Sequence, residues 1–177
     1  NYTTSPGAAA LQWLNAQQTK GKKHPFLFTQ SQAILCRTWI PTQDGPGTRF
    51  TFDAIVQVPV GMMALMSAEN PQQTAPDGIY HFKMEQPIPS YLMSLAVGDL
   101  GFQSVGTETG VYAEKSFVAA CAEELSDMQT MLEKAEQLYG KYQWGRYDVI
   151  VLPPSFPFGG MENPRITFAT PTIIAGD

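Results

Sequence analysis

The chain has 177 residues, a formal net charge of -5 and 44% apolar residues. This length and composition are those of a globular protein with one core or two small ones. The acidic balance, without a basic cluster, argues against nucleic acid as a partner. No apolar run approaches the roughly 20 residues that a membrane-spanning helix needs, so a membrane is not expected as a partner either.

The two cysteines, Cys36 and Cys121, lie far apart in the sequence. They could pair, but two thiols in a chain of this length are more typical of reduced core residues in a cytosolic protein. We therefore expect two unpaired cysteines and a cytoplasmic location.

The first hundred residues carry the signals of β-strands. Arg49–Val58 alternates between apolar and polar side chains, which predicts a strand with one buried face. Met62–Met66 and Ile79–Met84 are predicted to form two further strands, the second preceded by turn residues. Tyr91–Val97 is a continuous apolar run, short enough to predict one strand buried on both faces.

The pattern then changes from strands to a helix followed by strands. Apolar residues spaced by three and four from Phe117 to Tyr139 predict one helix of about six turns, with Gly140 as its C-cap. Tyr147–Leu152 and Arg165–Phe168 are predicted strands. We place a domain boundary near Thr107–Gly110, where glycine and polar residues cluster.

The segment Gly159-Gly160-Met161-Glu162-Asn163 follows a short apolar strand and a proline-rich loop. Glycines lack a Cβ, so a substrate backbone can lie against them as an added strand pairs with a sheet edge. A fixed carboxylate in a desolvated cleft gives an α-ammonium a charge-assisted hydrogen bond. The segment therefore predicts a site for the amino terminus of a peptide, with Glu162 as its anchor. On these five residues alone, a Gly-Gly turn followed by an exposed glutamate remains the alternative.

This run resembles the exopeptidase signature of the zinc aminopeptidases that carry a downstream His-Glu-x-x-His helix, and residues 164–172 look like the leukotriene-A(4) hydrolase branch of that family. The resemblance implies a mixed fold. Residues 1–109 would be the later part of an all-β, saddle-like N-terminal domain. Residues 110–177 would begin an α+β, thermolysin-like catalytic domain. It also implies a zinc-dependent aminopeptidase that acts on peptides with a free amino terminus.

A second anchor is carried over from the resembled family, in which a Gln of the matching Gln-Ala step helps to hold the substrate amino terminus. By that resemblance Gln32 is the second anchor, with Ser31 and Ala33 beside it in the pocket, at the start of a predicted strand. An amide oxygen can accept a hydrogen bond from an ammonium. The alternative is a polar residue on the solvated face of a strand.

Three more residues complete the predicted substrate-binding set. Met161 and Asn163 belong to the motif, and Phe158 directly precedes it. Phe158 occupies a position where the resembled branch often has Tyr, so the pocket would lack a hydroxyl group there.

The zinc ligands are not expected within this chain. A catalytic zinc needs three protein ligands, and neither His24 nor His81 has a His or Cys partner at ligand spacing. The resemblance places the zinc ligands and the catalytic groups beyond Asp177, so no catalytic or metal-binding residue is assigned, and the chain alone is expected to be inactive. Two alternatives stay open. One is hydrolysis of a lipid epoxide, which that branch can combine with peptidase activity, and the other is a non-catalytic, β-rich peptide-binding module.

Overall fold

A computed structural model describes residues 1–176. Its strands are β1 (Leu11–Leu14), β2 (Phe26–Thr29), β3 (Arg49–Gln57), β4 (Met63–Met66), β5 (Ile79–Pro89), β6 (Leu95–Gly98), β7 (Leu100–Ser104), β8 (Thr109–Glu114), β9 (Tyr147–Val151), β10 (Gly160–Met161) and β11 (Ile166–Ala169). Its helices are α1 (Val118–Glu124) and α2 (Met128–Tyr139), and short 3-10 turns occur at Ala16–Gln18, Cys36–Thr38, Ser90–Leu92 and Pro171–Ile173. None of the helices in this part of the chain is long and apolar enough to cross a membrane.

The strands form three sheets. The first has the order β1-β2-β6-β4 and is antiparallel, and the second is the antiparallel pair β3-β5. The third has the order β10-β11-β9-β8-β7 and is mixed, because β9 is parallel to both of its neighbours. The antiparallel pair β7-β8 begins this third sheet at Leu100 and spans the predicted boundary near residue 109. The domain limits 1–109 and 110–177 stay a prediction.

The strands that alternation and turn residues predicted are confirmed. Along β3, half-buried and exposed residues alternate at every position. β4 lies within Met62–Met66. β5 begins at Ile79 as predicted but continues to Pro89, beyond the predicted end at Met84, because β3 pairs with it as far as Arg49 opposite Pro89.

The predicted strand Tyr91–Val97 is wrong in its first half. Residues Ser90–Leu92 form a 3-10 turn, in which the Met93 N–H donates to the Ser90 carbonyl at 3.1 Å, and strand β6 begins only at Leu95. The buried Ser90 hydroxyl, at the start of this turn, donates to the carboxylate of Asp44, which lies outside every strand. An apolar run does not reveal such a contact.

The predicted single helix from Phe117 to Tyr139 is also wrong, because it is two helices. Between α1 and α2 the chain makes turn bonds from the Ser126 N–H to the Glu123 carbonyl and from the Met128 N–H to the Leu125 carbonyl. Serine and aspartate at 126 and 127 compete with helical hydrogen bonding, which favours a break. Gly140 ends α2 as predicted, with a φ of 88° that suits glycine.

The third sheet separates two hydrophobic clusters. One face of β9 and β11 packs against the first sheet through Ile150 and Phe168, and the other face packs against the helices through Val149 and Val151. The two cysteines lie unpaired and buried, Cys36 in the first cluster and Cys121 in the second. Burial raises the pKa of the Cys36 thiol to about 12 and that of the Cys121 thiol to about 11.

Candidate functional site

The glycine-rich motif forms an edge strand of the third sheet. Gly160 and Met161 make up β10, which pairs antiparallel with β11 and lies at the end of the strand order. The Thr170 N–H donates to the Gly159 carbonyl at 3.2 Å and continues this pairing by one residue. An edge strand presents unpaired N–H and C=O groups on its outer side. The motif can therefore accept another extended chain along that side.

The two glycines of the motif have different surroundings. A Cβ at Gly160 would lie 2.7 Å from the backbone carbonyl oxygen of Phe168, so the close approach of β11 requires glycine there. A Cβ at Gly159 would meet no heavy atom within 4 Å. Gly160 thus serves the sheet, whereas the space above Gly159 is open to a ligand.

Beyond the glycines, buried and exposed side chains alternate. Met161 and Asn163 are buried, with 3% and 4% of their surface exposed, whereas Glu162 between them is exposed. Glu162 takes part in no ion pair among residues 1–176. It lines a cavity of about 540 Å³. Three aromatic side chains, Tyr142, Trp144 and Tyr147, also line this cavity. Its remaining lining residues are Leu92, Gly160, Met161, Asn163, Pro164 and Thr167. The motif carboxylate is therefore available to a cation from outside the described protein.

The motif ends in a sharp turn into β11. Asn163 accepts a hydrogen bond from the Ile166 N–H through its carbonyl at 3.3 Å, and Arg165 between them has a φ of 68°. The Arg165 guanidinium lies 3.5 Å from the Glu69 carboxylate, so the turn is tied to the connection after β4. The Asn163 side-chain nitrogen is buried without a protein partner among residues 1–176.

The second predicted segment lies after a strand and not at the start of one, so that part of the prediction is wrong. Strand β2 ends at Thr29, and the Gln30 N–H donates to the Ala10 carbonyl at 2.8 Å. The chain then turns, with the Leu35 N–H donating to the Ser31 carbonyl at 2.9 Å. Gln32 is exposed on this turn.

Ser31 stabilises the turn that presents Gln32 and Ala33, both of which are exposed. Only 2% of its surface is exposed. Its hydroxyl donates to the Met93 carbonyl at 3.2 Å and accepts the Trp39 indole N–H at 3.2 Å. Both hydrogen-bonding functions of the hydroxyl are therefore engaged within the protein.

Gln30 connects this turn to the motif, and sequence reasoning did not assign it to the site. Its side-chain nitrogen lies 3.4 Å from the Met161 sulfur. Its side-chain oxygen is buried and has no protein partner among residues 1–176. A buried acceptor without a donor costs roughly 1–3 kcal/mol. Two glutamines flank Ser31, and only the turn decides that the first is buried and the second exposed.

Phe158 sits on an aromatic cluster next to the motif. Its ring is 54% exposed and lies 6.4 Å from the Phe156 ring. Phe156 in turn packs edge-on against Phe28 at 5.3 Å and Phe168 at 5.9 Å, joining the first and third sheets. An apolar surface is therefore held beside Gly159.

Comparison with known proteins defines the class to which this fold and motif belong. Residues 4–92 match the Peptidase M1 N-terminal domain, and residues 123–177 match the Peptidase family M1 domain. The chain therefore belongs to peptidase family M1. It is 50% identical over 179 residues to leukotriene A-4 hydrolase of Xenopus laevis, a match that covers 98% of this chain and 29% of that protein.

Two further relatives agree. Aminopeptidase B of Rattus norvegicus is 48% identical over 166 residues, which cover 93% of this chain and 25% of that protein. The structure of yeast LTA4 hydrolase in complex with Bestatin superimposes with a TM-score of 0.91 at 39% identity, over 98% of this chain and 27% of that chain. The chain thus spans less than a third of the length of these relatives.

The comparisons confirm the resemblance that the Gly159–Asn163 motif suggested. They also confirm the fold class, because a mostly β region matches the N-terminal part of the LTA4 hydrolase structure and is followed by the start of the catalytic domain. The roles of the individual site residues stay predictions.

Proposed function

We propose that this chain is the part of a zinc-dependent aminopeptidase that recognises the free amino terminus of peptide substrates. The observation that carries the proposal is the exposed Glu162, which has no ion-pair partner among residues 1–176 and directly follows the edge strand β10. Two kinds of similar protein support it, since the curated relatives include aminopeptidase B and a structural relative was solved with Bestatin.

In this proposal the substrate chain lies along the outer side of β10. Its backbone passes over the open position at Gly159 and exchanges hydrogen bonds with the unpaired edge. The substrate α-ammonium is held by the Glu162 carboxylate and by the side-chain oxygen of Gln32. Fixing the amino terminus determines which peptide bond reaches the catalytic groups, which is a positioning effect.

The first side chain of the substrate would lie near Phe158 and Met161. Phe158 offers an exposed ring, and Met161 is contacted by Gln30, whose side-chain oxygen lacks a protein donor among residues 1–176. A donor on the ligand or a bound water would satisfy that oxygen.

The residues that the structure describes do not fit the zinc ion itself. Residues 1–176 contain no group of three or more His, Cys, Asp and Glu side chains that could hold a metal ion. In the proposal these residues bind and orient the substrate, and the zinc ligands belong to other residues of the intact enzyme.

The proposal is tested by Glu162→Gln in the full-length enzyme. Glu162 is exposed without substrate, and in the proposal the bound substrate shields it from water. Removing one partner of such a buried charge pair costs about 2–5 kcal/mol, so kcat/KM for a peptide with a free amino terminus should fall roughly 30- to 4,000-fold. Zinc content should not change. Glu123→Gln on α1 is the matched control, because Glu123 is likewise exposed and does not belong to the motif. Equal kcat/KM values for wild type and Glu162→Gln at matched zinc occupancy would refute the role of Glu162.

A second candidate activity is hydrolysis of a lipid epoxide, because one of the relatives is a leukotriene A-4 hydrolase at 50% identity. The two activities are separated by assaying the full-length enzyme with a peptide amide and with a lipid epoxide. Peptide turnover that depends on Glu162 supports the aminopeptidase. Epoxide turnover without peptide turnover favours the second activity, and peptide binding without either favours a non-catalytic module.

The proposed location is the cytoplasm, which the two unpaired buried thiols support.

A further inference from the structure

Asp44 is a buried carboxylate in the connection between the turn Cys36–Thr38 and β3. Its side chain has no exposed surface. One of its oxygens accepts the backbone N–H of Arg37 at 2.9 Å and the Arg37 Nε–H at 3.3 Å, and the other accepts the Ser90 hydroxyl at 2.5 Å. Burial alone would raise the pKa of Asp44, but the hydrogen bonds from Ser90 and Arg37 lower it below its ordinary value. The carboxylate is therefore ionised and fully engaged at neutral pH.

These contacts fasten the far end of the turn that presents Gln32. Arg37 belongs to the 3-10 turn Cys36–Thr38, which directly follows that turn. Besides its two bonds to the Asp44 carboxylate, Arg37 donates from Nη2 to the Asp44 carbonyl at 2.7 Å. Asp44 in turn accepts a hydrogen bond from Ser90, so hydrogen bonds connect Arg37 through Asp44 to Ser90 without a gap.

The near end of the same turn is fastened to the same segment. Ser31 donates to the Met93 carbonyl at 3.2 Å. Ser90 begins the 3-10 turn Ser90–Leu92, and Met93 closes it with a bond back to the Ser90 carbonyl at 3.1 Å. Two hydrogen-bonded connections, one on each side of Gln32, thus converge on residues 90–93.

Residues 90–93 also reach the motif. Leu92 lines the cavity that Glu162 lines. Ser90 is 1% exposed and Met93 is 6% exposed, so both ends of the segment are buried, whereas Tyr91 and Leu92 between them are half-buried. Besides the contact between Gln30 and Met161, this short turn therefore connects the segment that carries Gln32 with the cavity that Glu162 lines.

We propose that Asp44 and Ser90 are positioning residues that hold Gln32 at a fixed separation from Glu162, so that both side chains can bind one substrate ammonium. The proposal rests on the proposed function of those two anchors. Neither Asp44 nor Ser90 contacts the substrate, and both act through Gln32. Misplacement of a binding group by about 1 Å can cost about 100-fold in rate, so a hydrogen bond far from the reacting atoms can matter.

The test is a double-mutant cycle in the full-length enzyme. Asp44→Asn and Ser90→Ala are each made alone and in combination with Gln32→Ala, and kcat and KM are measured with a peptide amide that has a free amino terminus. Residues in one network show non-additive effects. We expect each single variant to lower kcat/KM about 10-fold, mainly through KM, and to change it less than about twofold once Gln32 is alanine. Ser90→Thr keeps the hydroxyl and should stay within about threefold of wild type.

Glu114→Gln is the matched control. Glu114 is also a buried carboxylate, with 8% of its surface exposed. It accepts two backbone N–H groups, those of Lys20 and Gly21, each at 2.7 Å. It is not attached to the turn that presents Gln32, so its effect on kcat/KM should be the same whether residue 32 is glutamine or alanine.

The outcomes separate this proposal from the proposed function. If Gln32→Ala lowers kcat/KM but Ser90→Ala costs the same factor with and without it, the positioning role is overturned and the anchor role stands. If Gln32→Ala and Glu162→Gln both leave kcat/KM unchanged, the proposed function fails and the positioning role fails with it. Should Asp44→Asn not fold, the comparison of Ser90→Ala with Ser90→Thr decides alone.

Discussion

Alanine at each of the two adjacent motif glycines should have opposite consequences for stability and activity. At Gly160 the new Cβ would lie 2.7 Å from the Phe168 carbonyl oxygen, a backbone atom that cannot rotate away. Forcing extra atoms into a packed position costs typically about 1–3 kcal/mol, so Gly160→Ala should lower stability by that amount. At Gly159 the Cβ meets no protein atom within 4 Å. Since alanine also restricts the unfolded chain, Gly159→Ala should be neutral or stabilise by up to about 1 kcal/mol.

Activity should show the opposite sensitivity at Gly159. If the substrate backbone lies over this position, the same methyl group collides with the substrate and not with the protein. A clash of about 1–3 kcal/mol corresponds to a fall in kcat/KM of roughly 5- to 150-fold. The loss should appear for peptide substrates while the folded state is unimpaired.

The assay compares both variants of the full-length enzyme with wild type. Thermal unfolding reports stability, and kcat/KM for a peptide amide reports substrate binding at matched protein concentration. A Gly160→Ala variant that unfolds at the wild-type temperature would refute the close approach of β11. A Gly159→Ala variant with wild-type kcat/KM would refute the placement of the substrate along the outer side of β10.

Three further predictions follow from buried polar groups and thiols. Gln30→Leu should be neutral or stabilising in thermal unfolding without ligand, because it removes a buried oxygen that has no protein donor among residues 1–176. Because hydrogen bonds from Ser90 and Arg37 lower the pKa of Asp44, its ionisation stabilises the fold above the ordinary value of 3.8 and that contribution is lost as the pH falls through the lowered pKa. The unfolding temperature of wild type should therefore exceed that of Asp44→Asn by most at neutral pH, and this difference should shrink below about pH 4. A difference that stays constant with pH would contradict this. Cys36 and Cys121 should react with a thiol reagent at pH 8 only after denaturation, because burial raises both thiol pKa values, and rapid labelling of the native protein would contradict it.

Local patterns were enough to predict strands whose two faces differ in polarity. β3 alternates over its whole length because one face packs against the core and the other is exposed, and a period of two records this directly. Tyr91–Val97 shows no such alternation. Its apolar residues are compatible with a strand, whereas Ser90, at the start of the turn Ser90–Leu92, is bonded to Asp44, which is 46 residues away.

The helix beside the third sheet shows a related limit. Along the apolar stripe from Phe117 to Tyr139, Cys121, Met128 and Leu132 are buried, whereas Tyr139 at the end of the stripe is 87% exposed. Two helices that meet at a short turn bury the middle of the stripe as one helix would. The pattern therefore identified part of the face that packs against the sheet, but not the interruption at Ser126 and Asp127.

The two motif glycines show why a site is harder to predict than a fold. In the sequence Gly159 and Gly160 are neighbours of one type, and the same reason, close approach of a backbone, applies to both. Their difference arises only when β11 pairs with β10 and brings the Phe168 carbonyl against Gly160 but not against Gly159. The same holds for Gln30 and Gln32, which a turn after β2 separates into a buried and an exposed side chain. A motif can therefore name the segment that binds a substrate, whereas the division of roles within it depends on strand pairing and turns that the motif does not encode.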